Sequence, residues 1–382
     1  MRIGIDASNI VTGGGVTHLK EILSSFDREE FIDFESIIVF SSLKTLNLIE
    51  NNDLIEKISF SELNSNLLSR VYFQYFKYDK EIKKRCDILL SITGDYIGGF
   101  KPLIGISRNM LLFERDIWFH INSPKEILRF WLNYKKQKKC FKNSLGIIFI
   151  SNYAKNYISN KLSLKEKQKK IIHHGISSRF FSKIKKQKKI TDYSFENPFK
   201  FLYVSTVHVY KHQWNVVEAI SKLRENGYPV TLDLVGGVIF KSSGKKLFNM
   251  INKVDKNKEF IFFNGNVDYD VIESFYKNSD GIIYASTCEN MPNILLESMS
   301  SGTPIACSNK QPMPEFLKDG GFYFDAKSTD SIFNTLLSFL LSPEERYINA
   351  QKSHQNILSY NWKKTSLETF NFIKNILRYA KK

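Results

Sequence analysis

The chain has 382 residues, 42% hydrophobic and 14% aromatic, more than one core ordinarily holds, so two domains of ordinary size are expected. Its 55 Lys and Arg against 39 Asp and Glu give a net charge of +16, a field that attracts anions of every kind. No apolar run reaches the roughly 18 residues of a membrane span, and Cys86, Cys140, Cys288 and Cys307 form no C-x-x-C pair, which argues for buried thiols and against a zinc site or a disulfide framework.

Arg2–Ala7 reads as a strand that begins at once, with no signal peptide, so a cytoplasmic protein is expected. Thr12-Gly13-Gly14-Gly15 then leads into an amphipathic helix ending near Phe26. Glycines at a helix N-terminus let backbone amides approach a phosphate, but the spacing is not G-x-G-x-x-G. A second strand, Glu35–Phe40, runs into Ser41-Ser42 instead of the acidic residue a dinucleotide site needs. Further apolar runs at Ile88–Ser91, Leu103–Ser107 and Gly146–Ile150, with a closing strand at Ile171–Ile176, complete a first α/β half. The turn-rich, lysine-rich stretch after it reads as a linker. A second α/β half takes strands at Phe199–Ser205, Thr231–Gly237, Ile261–Gly265 and Gly281–Ala285 and finishes near Phe324. Lys211 follows its first strand, and Trp362–Leu377 predicts a last amphipathic helix. The expected domains are 1–178, a linker 179–198, a second domain 199–360 and the helix 361–382.

The most informative segment is Cys288–Pro304. Glu289 falls at the carboxyl end of the strand Gly281–Ala285, and the helix that follows opens around Asn293 and Ile294. Open α/β sheets bind ligands at such strand ends, and the opening amides of a helix are donors for anions or hydroxyls. Glu297, two turns on, is placed to accept paired hydrogen bonds from a vicinal diol such as a ribose. Gly302 stops the helix and Pro304 opens the next strand.

This segment resembles the donor motif of the retaining glycosyltransferases of family four. Phe149–Ala154, His173–Ser177 and Phe263–Val267 are similar to further landmarks of that family, in the same order and over nearly the whole chain. The resemblance implies an α/β GT-B fold: two Rossmann-like, doubly wound domains facing a central cleft, the first for the acceptor and the second for the nucleotide sugar, with the C-terminal helix returning to the first. It implies transfer of a hexose with retention from a UDP- or GDP-sugar, with Glu289 and Lys211 catalytic. Gly14, Gly15, Thr206, Lys211, Glu289, Asn293, Ile294 and Glu297 would then surround the donor, and Arg108 and Asn109 would lie on the acceptor side. The family carries Arg where this chain has Thr206, one fixed cation fewer on the diphosphate. Many relatives carry a His near Arg108; His18 and His120 are spare candidates. No Asp-x-Asp motif follows a strand, so no metal or other cofactor is expected.

The lysine runs 135–139, 165–170 and 183–189 fit an anionic membrane surface, at about 1 kcal/mol per basic residue near it, or are simply solvated faces. No nucleic-acid fold signature accompanies them. The implied role is a peripheral enzyme on the inner face of the cell membrane, using a lipid-linked glycan acceptor in lipopolysaccharide O-antigen or capsule biosynthesis. A GT-B sugar-nucleotide epimerase and an inactive GT-B scaffold are the alternatives.

Overall fold

The computed structural model describes every residue except Val11, Thr12, Asn122 and Lys382, so Thr12 of the glycine-rich loop lies outside the described residues. The chain divides into two units, Met1–Phe113 with Pro124–Gly175 and Tyr360–Lys382, and Glu114–Ser123 with Ile176–Ser359.

The first unit is built on seven parallel strands, β1 (Arg2–Asp6), β2 (Ser36–Phe40), β3 (Ile55–Ile58), β4 (Ile88–Ser91), β5 (Leu103–Ser107), β6 (Gly146–Phe149) and β7 (Gln168–Ile171), in the order β3-β2-β1-β4-β5-β6-β7. Its inner strands are buried on both faces and therefore read as apolar runs. The edge strands do not: β3 is Ile-Glu-Lys-Ile and β7 is Gln-Lys-Lys-Ile, polar sequences that protect an open edge from pairing with another chain. The closing strand accordingly lies at Gln168–Ile171, ahead of the more apolar Ile171–Ile176 stretch expected to form it.

The helix Trp362–Ala380 belongs to this unit. Phe370, wholly buried, sits among Phe26, Phe31 and Phe34 at ring distances of 4.7, 5.8 and 6.0 Å. Ser366 Oγ donates to the Ile22 carbonyl at 2.7 Å, and Ile376 lies so close to Gly146 that a Cβ there would stand 2.8 Å from it.

The second unit carries six parallel strands, β8 (Phe199–Val204), β9 (Val230–Val235), β10 (Ile261–Gly265), β11 (Gly281–Tyr284), β12 (Ile305–Ser308) and β13 (Phe322–Phe324), in the order β10-β9-β8-β11-β12-β13. Residues 179–198 are tied to this unit. The buried Arg346 donates to the Lys188 carbonyl at 2.6 Å and to Gln187 Oε1 at 2.9 Å, and Lys185 Nζ donates to the carbonyls of Tyr276 and Lys277. In each sheet the strand order reverses once, between β1 and β4 and between β8 and β11. At such a reversal the flanking loops diverge and leave a crevice beyond the carboxyl ends of the strands.

Candidate active site

At the β8/β11 reversal the loop after β8 delivers Lys211 and the loop after β11 delivers Glu289. Tyr203, on β8, donates from its hydroxyl to the Lys211 carbonyl at 2.6 Å, and Thr287 N–H donates to the Tyr210 carbonyl at 2.9 Å, so the two loops are pinned to each other. Lys211 Nζ makes an ion pair with Glu289 Oε1 and also donates to the Tyr284 hydroxyl at 3.2 Å. The same carboxylate oxygen accepts from Tyr284 at 2.7 Å and from Ser286 Oγ at 2.6 Å. The Lys211 side chain is 6% exposed and that of Glu289 17%, so both charges sit where water screens them poorly and each depends on the other.

The helix Asn293–Ser300 begins just beyond Glu289, and its intrahelical bonding starts from Leu296 N–H to the Pro292 carbonyl, so Asn293 and Ile294 open it as expected. Glu297 lies buried on that helix and accepts from the Tyr269 hydroxyl at 3.2 Å. Burial pushes its carboxyl up to about 7, although Tyr269, Arg179 and Tyr276 each favour its ionised form. Arg179 stacks on the Tyr269 ring at 3.7 Å and donates to Asp270 at 2.9 Å, which holds the ring in place beside Glu297. Thr206 is exposed just past β8, and its carbonyl accepts from Gln213 Nε2 at 3.0 Å.

The first unit has its own crevice, a cavity of about 900 Å³ at the β1/β4 reversal. Asn9 follows β1, Thr93 and Asp95 follow β4, and Arg108 and Asn109 follow β5; all five line it. Gly13 takes φ 72°, a conformation that favours glycine, and Gly14 and Gly15 open the helix Gly14–Ser24. A Cβ on Gly15 would stand 3.1 Å from Arg108 Nη1 and 3.3 Å from Ile10, so a side chain there would push the Arg108 guanidinium aside. Asp95 accepts from Asn9 Nδ2 at 2.9 Å and from Thr93 Oγ1, and burial together with the nearby Asp6 raises its carboxyl to about 6. The spare candidate His18 is buried against His174 at 4.5 Å and Trp362 at 5.9 Å, and burial drives its pKa well down. It is a neutral core group; His120 lies exposed in the second unit.

Residues 184–355 match the sequence model of a family described as "Glycosyl transferases group 1". These residues, most of the second unit, belong to that family, family four of the retaining glycosyltransferases. That unit is a glycosyltransferase domain, and the two sheets carry the GT-B fold. The chain is 24% identical over 368 residues to Protein CapJ of Staphylococcus aureus, covering 91% of this chain and 88% of that one. It is 27% identical over 115 residues to the O-antigen chain mannosyltransferase B of Escherichia coli, 30% of each. Among solved structures, sucrose-phosphate synthase from Thermosynechococcus elongatus superposes with a TM-score of 0.74 at 14% identity, over 99% of this chain and all of that one. Anabaena Alr3699/HepE in complex with UDP-glucose superposes with a TM-score of 0.71 at 15% identity, over 98% of this chain and all of that one.

Of the residues singled out from sequence, the structure of this glycosyltransferase brings Lys211 to Glu289, and Gly15 to Arg108 within the first unit. Sequence reasoning missed Tyr284 and Ser286, which hold Glu289, and Tyr269 and Arg179, which frame Glu297. Tyr284 had a signal: it is a polar-tipped aromatic at the carboxyl end of an apolar strand, where its hydroxyl needs a partner. Arg179 and Tyr269 had none, since their meeting depends on tertiary packing. Among the described residues no group of three or more His, Cys, Asp or Glu side chains forms a metal-binding cluster, and no helix is long and apolar enough to cross a membrane.

Proposed function

We propose that the protein transfers a hexose, with retention, from a UDP- or GDP-sugar held by the second unit to a lipid-linked glycan held by the first, in the synthesis of an O-antigen or capsule at the inner face of the membrane. The observation that carries this reading is the Lys211–Glu289 pair, poised at the β8/β11 reversal beside the helix that bears the buried Glu297. Glu289 takes hexose hydroxyls, Glu297 takes the ribose diol, and Lys211 with the amides of Asn293 and Ile294 takes the diphosphate. Gly14 and Gly15 offer amides to an anion in the first unit, where Arg108 and Asn109 face the acceptor. The bond from the anomeric carbon to the diphosphate breaks, the acceptor hydroxyl bonds to that carbon on the same face, and its proton passes to the departing phosphate. Protein groups position the partners and stabilise the developing charge. With Lys211 as the cation the reaction runs without a divalent metal, so EDTA leaves the rate unchanged. The names of the relatives support the reading: one is an O-antigen chain mannosyltransferase and one structure holds UDP-glucose.

Thermal melts with UDP-, GDP-, CMP- and ADP-sugars test the donor half. A donor at about 100 times its Kd adds about 2.7 kcal/mol, and the shift should vanish in Glu297→Ala. A protein stabilised by none of them does not use this site as proposed. Unchanged glycan output in cells carrying Glu289→Ala would favour the inactive scaffold instead.

A further inference from the structure

The cavity of the first unit has a chemical bias that the transfer reaction alone does not explain. Of the residues lining it, six are cations, Arg70, Arg108, Arg129, Lys135, Lys136 and Lys139, against a single acid, Asp95. Arg108 is the telling member. It forms no ion pair among the described residues, its Nε is buried without a hydrogen-bond partner, and it lies against the first turn of the helix Gly14–Ser24. Burial lowers its pKa to about 10, which still leaves a full cation at neutral pH. A cation desolvated in this way without a counter-charge is costly unless an anion completes the site. Arg70 is anchored from the other side, its Nη2 donating to the Ser8 carbonyl at 2.9 Å.

The cavity also has an apolar margin. Val71 and Tyr75 of the helix Leu67–Phe76 and Leu132 of the helix Pro124–Asn143 line it. The same two helices leave Leu68, Tyr72 and Phe76, and Leu128 and Trp131, exposed to solvent. Tyr72 and Phe76 lie ring to ring at 5.2 Å, and exposed apolar side chains grouped in this way mark a surface that meets something apolar. Cations inside and aromatic or aliphatic groups along the margin match a ligand with an anionic head and an apolar tail.

We propose that this cavity binds an amphiphile whose phosphate or diphosphate is held by Arg108, Arg70 and Lys136 while its apolar chain lies along the exposed faces of Leu67–Phe76 and Pro124–Asn143. This rests on the acceptor reading given above and narrows it: the acceptor is recognised by its phosphate and its lipid as well as by its sugar.

Calorimetric titration of the full chain with farnesyl diphosphate, inorganic pyrophosphate and farnesol tests it. Farnesyl diphosphate should bind at least tenfold more tightly than pyrophosphate, and farnesol should not bind measurably. Arg108→Gln and Lys136→Glu should each weaken farnesyl diphosphate about tenfold or more, as expected when a charge-assisted contact is lost. Trp131→Ser should weaken farnesyl diphosphate and leave pyrophosphate unchanged. Should Arg108→Gln not fold, Lys136→Glu at the half-buried Lys136 decides, with its melting temperature as the control. Equal affinity for pyrophosphate and farnesyl diphosphate would show a site for a free phosphate compound and overturn the proposal, as would undiminished binding in Lys136→Glu. A wild-type protein stabilised by a nucleotide sugar that ignores farnesyl diphosphate defeats this inference alone. One stabilised by no nucleotide sugar defeats the reading beneath it.

Discussion

The proposed role of Glu297 as acceptor of the donor's ribose diol carries a protonation signature that a merely structural glutamate lacks. Its carboxyl is pushed up to about 7, against about 4.3 in an unfolded chain. The folded state therefore holds a proton that the unfolded chain has already lost. The resulting stability is fully present below about pH 4.3 and is lost as pH rises to about 7, some 3–4 kcal/mol at the outside. A ribose diol donates to a carboxylate, so donor binding must expel that proton. At pH 6.5 about three-quarters of a proton should leave per nucleotide sugar bound, and affinity should climb by up to about tenfold per pH unit between pH 5 and 7 before levelling. The diphosphate of a nucleotide sugar does not titrate in this range, so the effect belongs to the protein. Titration calorimetry in buffers of different ionisation enthalpy reads the proton count directly. Proton release of zero in the wild type, or equal release in Glu297→Gln, refutes the assignment of Glu297 to the diol.

Lys211→Met should lower turnover tenfold to a hundredfold, since a charge-assisted hydrogen bond is worth about 1.5–3 kcal/mol; a rate within twofold of wild type removes Lys211 from the chemistry. Glu289→Gln should slow transfer while strengthening the binding of the free nucleoside diphosphate severalfold, because Lys211 no longer has a competing carboxylate; competition titrations measure it. Gly15→Ala should leave the melting temperature level or slightly raised, as expected for Gly→Ala in a helix, yet weaken farnesyl diphosphate severalfold by displacing Arg108. Phe370→Ala should cost about 3–5 kcal/mol of first-unit stability in urea, through loss of contacts to Phe26, Phe31 and Phe34.

Interior strands were legible because parallel sheets covered on both faces demand continuous apolar runs; Ile88–Ser91 and Leu103–Ser107 fall where their patterns predict. The edges were not, because Ile55–Ile58 and Gln168–Ile171 are selected for protection of an open edge and carry charge. Glu289, Glu297 and Lys211 stand out in sequence by their place at strand ends and helix starts. Their partners do not, since Lys211 and Glu289 meet only because β8 and β11, far apart in the chain, are neighbours in the sheet through Gly281↔Phe201 and Ile282↔Leu202. The first-unit cavity draws its walls from three strand ends and three helices, and no local pattern announces such a convergence.

The two crevices differ in how their cations are satisfied, and the difference bears on what each does. In the second unit Lys211 is neutralised by Glu289, and Tyr284 and Ser286 complete the carboxylate's hydrogen bonds. Neither charge is stranded when the site is empty, so the pair can be held ready without the penalty of an isolated buried ion. In the proposed reading a nucleotide sugar would offer both halves of the exchange at once, its phosphate replacing Glu289 as the partner of Lys211 and its hexose hydroxyls replacing Lys211 as donors to Glu289. A nucleoside diphosphate offers only the first half and leaves the carboxylate under-satisfied, which favours binding of the intact donor and release of the spent one. Arg108 in the first unit has no such internal counter-ion among the described residues, so its charge is met only when a ligand arrives, and affinity there follows the charge of that ligand.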